Sequence, residues 1–158
     1  VPAVLGVTAD GAGTLFESSV SCIGAAVCQH GLQDSQGLLR ALVERVRQEN
    51  FADGVLPKLH ISGCPSSCGS HQSAALGLMG QAKKVDGEIR PAFRLFVNGC
   101  ETNPGARLGE AKDVFLADRL PEFFIELGHT IQSANATFET WYPSHQEEFS
   151  ALCAKYSQ

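Results

Sequence analysis

The amino-acid sequence predicts an α+β fold in which helices flank a mixed or antiparallel sheet. Apolar residues recur at helical spacing over two segments, residues 35–49 and 144–156. Two apolar stretches between these segments flank Asp86-Gly87, a dipeptide typical of a β-hairpin turn. The predicted helices and strands do not alternate regularly, as they would in a βαβ protein with a parallel sheet.

The first half of the chain contains two predicted strands around one helix. Residues 1–8 are predicted to end a strand, because a turn rich in Gly and Asp follows them. Asp34-Ser35 is a candidate N-cap for an amphipathic helix over 35–49. Residues 59–61 alternate apolar and polar side chains and predict a short strand.

The second half continues with a hairpin, a loop and a helix. Strands are predicted over 75–85 and 92–97, on either side of the Asp86-Gly87 turn. Residues 98–112 are rich in Gly, Pro and Asn and are predicted to form a loop. A helix over 119–134 follows, with Asp118 as its candidate cap.

The last predicted helix has the clearest sequence pattern. Ser144 and Glu147 have the spacing of a capping box, in which each side chain accepts a backbone N–H of the first helical turn. Four residues then fall on one apolar face: Phe149, Leu152, Cys153 and Tyr156. We therefore predict that this helix packs on the core, with Cys153 as a core thiol.

Length and composition indicate one globular domain, which we expect to span residues 1–158 as part of a longer protein, because the chain begins with Val. Its 12 basic and 17 acidic residues give a net charge of −5, which argues against nucleic acid as a partner. No apolar run approaches the roughly 20 residues of a membrane helix. No segment has the pattern of a signal peptide. The expected location is cytoplasmic.

Four of the six cysteines form two close pairs, Cys22 with Cys28 and Cys64 with Cys68. In a chain without export signals, such pairs favour metal ligation over disulfides. The five-residue gap of the first pair departs from the two to four residues typical of zinc sites, which favours iron–sulfur ligation. A zinc site, disulfides and unlinked core thiols remain open alternatives at this stage.

The second cysteine pair predicts a helix N-terminus. Its i, i+4 spacing would put both sulfurs on one helical face, and Pro65 suits a first helical position. We therefore expect Cys64 near an N-cap and Cys68 in the first turn, where free N–H groups favour an anionic cluster. Cys22 and Cys28 would instead be joined by a loop, which Gly24 allows to curve.

These segments resemble a known family. The sequence SGCPSSCGSHQSAALGLMG, residues 62–80, resembles the second cluster motif of sirohaem-dependent nitrite and sulfite reductases. The sequence CIGAAVC, residues 22–28, resembles the first motif. The resemblance implies the C-terminal [4Fe–4S]-binding domain of such a reductase. The implied cluster ligands are the four paired cysteines, Cys22, Cys28, Cys64 and Cys68, and the cysteine at position 68 also bridges to the sirohaem iron.

The resemblance also implies an oxidoreductase that passes electrons to sirohaem-bound nitrite or sulfite. Ferredoxin or a reductase subunit would be the electron donor. The family keeps its basic substrate-binding residues upstream of the cluster motifs, and Lys58 is the only Lys or Arg in residues 51–80. The catalytic residues are therefore not identified in this chain, although Arg107 is a candidate contact for a sirohaem carboxylate. The alternative function is a non-catalytic iron–sulfur module for electron transfer or redox sensing.

Overall fold

A computed structural model describes residues 12–158 of the chain. The strands in this range are β1 (Val20–Ser21), β2 (Leu59–Ser62), β3 (Leu76–Val85), β4 (Glu88–Val97) and β5 (Glu110–Leu116). The α-helices are α1 (Ser35–Arg47), α2 (Leu120–Ser133), α3 (Phe138–Trp141) and α4 (Gln146–Tyr156). Short 3₁₀ turns occupy Phe16–Ser18, Ala117–Arg119 and Tyr142–Ser144. The strand predicted over 1–8 lies outside the described residues.

The five strands form one mixed sheet in the order β1-β2-β3-β4-β5. β1, β2 and β3 run parallel to one another, whereas β3, β4 and β5 pair antiparallel. The predicted α+β class with a mixed sheet is therefore confirmed. Because β1 and β2 are adjacent and parallel, the segments that follow them emerge at the same end of the sheet, where both strands have their carboxyl ends.

The core lies between one face of this sheet and the helices. Strand residues on that face are at most 2% exposed: Leu59, Ile61, Leu76, Leu78, Phe93, Leu95 and Phe115. Leu42 of α1 and the aromatic pair Phe123 and Phe124 of α2 pack in the same cluster and are fully buried. Each such side chain contributes about 1.5–3 kcal/mol of hydrophobic free energy, so this face anchors the sheet and the loops at its edges.

Helix α1 and the hairpin agree with their sequence predictions. The Asp34 side chain accepts a hydrogen bond from the Gly37 N–H at 2.9 Å, which confirms the predicted N-cap. Asp86 and Gly87 both have positive φ, at 50° and 88°, as a two-residue type I′ turn requires. The second hairpin strand begins at Glu88, earlier than the predicted 92, because pairing with β3 extends to the turn.

The predicted loop over 98–112 is wrong at its end, because β5 begins at Glu110. The first residues of β5 are charged or exposed, so the sequence lacks the apolar signal of a strand there. The paired neighbour β4 supplies the hydrogen bonds that define β5. An isolated bridge between Cys100 and Arg107 also gives the preceding loop a hairpin form.

Both predicted helix caps in the C-terminal region are wrong. Asp118 lies in the 3₁₀ turn before α2, and its carboxylate pairs with Arg90 at 2.6 Å instead of capping. Ser144 ends another 3₁₀ turn, so the N-cap of α4 falls one residue later, at His145. A capping box does occur at α3, between Thr137 and Thr140. No helix in residues 12–158 is long and apolar enough to cross a bilayer.

Candidate metal centre

Two cysteine-bearing segments leave the sheet side by side. Cys22 directly follows β1, and Cys64 lies two residues beyond the end of β2. The register pairs Ser21 with Ile61, and the Cys22 N–H continues the ladder by donating to the Ile61 carbonyl at 2.9 Å. The parallel pairing of two short strands therefore brings Cys22 and Cys64 to the same end of the sheet.

The first cysteine pair spans a tight turn that depends on Gly24. The Cys28 N–H donates to the Gly24 carbonyl at 2.8 Å, and the Ala25 N–H donates to the Gln33 carbonyl at 2.9 Å. Gly24 has φ +69°, and a Cβ there would lie 2.7 Å from the Ser35 nitrogen. Both the conformation and the close contact require glycine. The predicted loop between Cys22 and Cys28 is present, and it folds back on the start of α1.

Gly63 joins the two turns. Its carbonyl accepts the N–H groups of Leu32 and Gln33 at 3.1 and 2.9 Å. Its own N–H donates to Sγ of Cys22 at 3.1 Å. A Cβ on Gly63 would lie 2.6 Å from the Gln33 carbonyl oxygen, so no larger residue fits without movement of the backbone. The residue directly before Cys64 thus fastens the two cysteine turns together.

The helix predicted at Cys64 and Cys68 is absent. Residues 63–75 form successive turns, with Ser67 at φ +58° and Ser70 at φ +54°, conformations that a right-handed helix cannot contain. The Ser62 side chain accepts the Gly69 N–H at 3.0 Å, which bends the chain back toward β2. The helix-dipole argument therefore does not apply here. Individual N–H groups, such as that of Gly63, are the available stabilisers of negative charge.

His71 supports the Cys68 turn, a role that sequence reasoning missed. It is 1% exposed, and its Nδ1 lies 2.9 Å from Oγ of Ser62, the atom that also holds Gly69. Its ring packs against Phe96 with centroids 4.7 Å apart. Burial lowers the pKa of His71, which favours the neutral imidazole. A polar residue among small residues is typical of an exposed loop, so the sequence carried no signal of this burial.

The four sulfurs have different surroundings. Cys64 is buried, Cys22 and Cys28 are half-buried, and Cys68 is exposed. Sγ of Cys22 lies 3.3 Å from the Ser35 hydroxyl and 3.1 Å from the Gly63 nitrogen. Burial acts to raise the pKa of Cys22, but these hydrogen bonds outweigh it and lower the pKa. The thiolate, which is the metal-ligating form, is therefore favoured at this position.

The cysteine turns differ from a single-ion site. In residues 12–158 no three His, Cys, Asp or Glu side chains converge closely enough to hold one metal ion. A tetrahedral zinc site needs its ligands about 2.0–2.3 Å from a common centre. A cubane cluster binds one sulfur at each of four corners, so its ligands stand farther apart. The soft thiolate donors and the glycine-built contact between the turns are compatible with such a cluster.

Comparison with known proteins decides the family. The family model described as "Nitrite and sulphite reductase 4Fe-4S domain" matches residues 13–149. The chain belongs to this family. Membership implies an iron–sulfur cluster as the cofactor of this 4Fe–4S domain and confirms the family resemblance predicted from the sequence.

Relatives with assigned activities are reductases of both substrate types. The ferredoxin–nitrite reductase of Leptolyngbya laminosa is 36% identical over 88 residues, which cover 55% of this chain and 17% of that protein. The assimilatory-type sulfite reductase of Nitratidesulfovibrio vulgaris is 43% identical over 63 residues, covering 40% of this chain and 28% of that protein. The chain thus spans less than a third of either relative.

A solved structure shares the fold. The Mycobacterium tuberculosis NirA protein superposes with a TM-score of 0.57 at 20% identity, over 70% of this chain and 22% of that one. The similarity supports the mixed-sheet architecture of the 4Fe–4S domain.

The remaining candidate residues lie apart from the cysteine turns of the 4Fe–4S domain. Arg107 donates from Nε and Nη2 to the backbone and side-chain oxygens of Asn98, both at 2.7 Å. It lines a cavity with Cys100 and Tyr142, and none of the four paired cysteines lines that cavity. Cys153 is 1% exposed on α4, and burial raises its pKa to about 12, as expected for a core thiol.

Proposed function

We propose that the domain binds one [4Fe–4S] cluster through Cys22, Cys28, Cys64 and Cys68 and serves as the cluster-bearing part of a nitrite or sulfite reductase. The observation that carries this proposal is the junction at Gly63, which fastens the two cysteine turns at one edge of the sheet. The parallel pairing of β1 with β2, together with this junction, brings together the turns of two cysteine pairs that 35 residues separate in the sequence.

The exposure of the sulfurs supports a division of roles. Cys64 is buried and would hold the cluster from the protein side. Cys68 is the exposed member of the set, so its sulfur could also reach the iron of a sirohaem bound against the same turn. Bound together, the two cofactors would pass electrons from the donor to the substrate, which needs six of them for conversion of nitrite to ammonia or of sulfite to sulfide.

Recognition of the anionic substrate is proposed to come from sequence beyond this domain. Lys58, the single Lys or Arg in residues 51–80, lies before β2, at the end of the strand away from the cysteines, and faces Glu101 at 3.9 Å. Arg107 is held by Asn98. A pocket for the carboxylates of sirohaem and an oxyanion needs several cations, preferably Arg. The electron donor is proposed to be ferredoxin or a reductase subunit.

Iron analysis of cysteine variants tests the cluster assignment. The chain is reconstituted anaerobically with iron and sulfide, and both are quantified after desalting. We expect about four iron atoms and as many labile sulfides per chain, and a large loss in each Ser variant of the four paired cysteines. Cys100→Ser and Cys153→Ala are the matched controls and should retain wild-type iron. Retention of iron in two or more of the four variants would contradict the proposal.

A non-catalytic electron-transfer or redox-sensing module is the second candidate, favoured by the scarcity of cations near the Cys68 turn, since Lys58 is the single Lys or Arg in residues 51–80. The visible spectrum after addition of sirohaem separates the candidates. A reductase domain completed by its upstream sequence should gain sharp Soret and red bands. A module that never binds sirohaem should show the same broad cluster absorption before and after sirohaem is added.

A further inference from the structure

Two adjoining cavities, each of ≈270 Å³, flank Cys100. The first is lined by residues before and within β2 and by residues 73–75, which precede β3. The cysteine turns follow β1 and β2, and β1, β2 and β3 are parallel. The cavities therefore lie at the opposite end of the sheet from the proposed cluster. They share Cys100 and Glu139, so the thiol faces one continuous concave surface.

A buried histidine in the wall of the first cavity lacks a partner. His60 is 5% exposed, and its Nδ1 has no hydrogen-bond partner among residues 12–158. Its Nε2 faces the Glu101 carboxylate, which lines the same cavity, at 3.9 Å, beyond hydrogen-bond distance. Buried polar groups in folded proteins are normally satisfied. Because Nδ1 is sealed inside the protein, Nε2, on the side of Glu101, is the ring nitrogen that a polar ligand in this cavity would contact.

The Cys100 sulfur is accessible and activated by its own loop. It is half-buried, and the Thr102 hydroxyl lies 3.4 Å from Sγ. Hydrogen bonding by Thr102 and, to a smaller extent, the charge of Arg107 lower the pKa of the Cys100 thiol, and they outweigh burial and the Glu139 charge, which act to raise it. A Cβ on Gly105 would lie 3.5 Å from Sγ, so glycine keeps this side of the sulfur open. The core thiol Cys153 has the opposite character, with a raised pKa.

Charges of both signs surround the sulfur. Lys58 and Glu101 line the first cavity, Arg107 lines the second, and Glu139 lines both. The Lys58–Glu101 contact is long, at 3.9 Å, and the partners of Arg107 are uncharged oxygens of Asn98 and Gly105. The two basic and two acidic side chains are thus available to a ligand that carries carboxylate groups as well as an ammonium group. A simple anion would meet two carboxylates, and a simple cation would meet two basic groups.

We propose that Cys100 is a site of S-thiolation by a zwitterionic low-molecular-weight thiol of the glutathione class. The Cys100 thiolate attacks one sulfur of the small disulfide, and a new disulfide forms between the protein and that half of the molecule. The original S–S bond breaks, and the other half leaves as a thiolate that takes a proton from water. The small disulfide is thereby reduced as Cys100 is oxidised, so electrons balance without a further oxidant.

The test compares a charged with a neutral disulfide. The 158-residue chain is treated with glutathione disulfide or with bis(2-hydroxyethyl) disulfide, and peptide mass mapping measures the rate at each cysteine separately. Each rate is divided by the rate of a free small thiol with the same reagent, so that the different intrinsic reactivities of the two disulfides cancel. Cys22, Cys28, Cys64 and Cys68 are read on their own peptides, so the result does not depend on the cluster proposal.

We expect Cys100 to favour glutathione disulfide over the neutral reagent, and Lys58→Gln to reduce that preference about fivefold, the ratio that corresponds to ~1 kcal/mol for one charge contact. Lys84→Gln, which removes an exposed cation of β3 outside both cavities, is the matched control and should leave the preference unchanged. Equal normalised rates for the two disulfides would overturn the proposal. Equal effects of Lys58→Gln and Lys84→Gln would also overturn it.

Discussion

Substitution of Gly63 by Ala tests the junction between the cysteine turns. The added Cβ would lie 2.6 Å from the Gln33 carbonyl oxygen, 3.2 Å from Cα of Gly24 and 3.6 Å from Sγ of Cys22. The first two contacts are with backbone, so the turns themselves must separate. Overpacking of this kind costs about 1–3 kcal/mol, and weakening the two hydrogen bonds to the Gly63 carbonyl adds roughly 1 kcal/mol.

We therefore expect Gly63→Ala to lower the free energy of unfolding by about 2–4 kcal/mol and to reduce iron retention. Urea unfolding of the iron-free chain measures the first effect, and iron analysis after anaerobic reconstitution measures the second. Gly13→Ala is the control, because its nearest neighbour is the flexible Glu17 carboxylate at 3.4 Å; it should change stability by less than about 0.5 kcal/mol. Wild-type stability and iron content in Gly63→Ala would refute the reasoning.

Three further predictions follow from buried thiols, buried imidazole and charge. Cys153→Ala should lower the free energy of unfolding by roughly 1 kcal/mol, through lost core contacts, without changing iron content; a loss of iron would contradict the core assignment. Because burial lowers the pKa of His71 below its unfolded value of about 6.5, the stability that this neutral side chain contributes is present above that pH and is lost as pH falls. Urea unfolding between about pH 7 and pH 5 should therefore show a smaller fall in the free energy of unfolding for His71→Gln than for the wild-type chain. An unchanged dependence of that free energy on pH would contradict the account. The isolated chain loaded with iron, sulfide and sirohaem should not reduce nitrite or sulfite with reduced methyl viologen, and turnover would show that Arg107 or other residues of this chain form a sufficient anion site.

The parts of the fold that local sequence determines were predictable. Helix α1 has both an N-cap and an amphipathic face, and the Asp86-Gly87 hairpin has its turn residues, so each element carries its own signal. Strand β5 was missed because its first residues are polar and its pairing with β4 is a long-range property. The two wrong helix caps arose because 3₁₀ turns precede α2 and α4 and displace their first residues.

The candidate site was predictable in composition but not in conformation. The spacing of the cysteine pairs indicated a cluster, and the structure brings their turns together. The i, i+4 spacing of Cys64 and Cys68 suggested a helix, yet Ser67 and Ser70 adopt positive φ because Ser62 and His71 hold the turn. Those contacts link residues on different segments, so periodicity within one segment could not indicate them.

Native mass spectrometry of the anaerobically reconstituted chain is the most direct test of the cluster assignment. Wild-type protein should gain the mass of one Fe₄S₄ unit, with the four paired thiols deprotonated, and Cys100→Ser should gain the same mass. Each Ser variant of Cys22, Cys28, Cys64 or Cys68 should lose the intact unit. Binding of a single metal ion by the wild-type chain, or an intact Fe₄S₄ unit in variants of both pairs, would contradict the account.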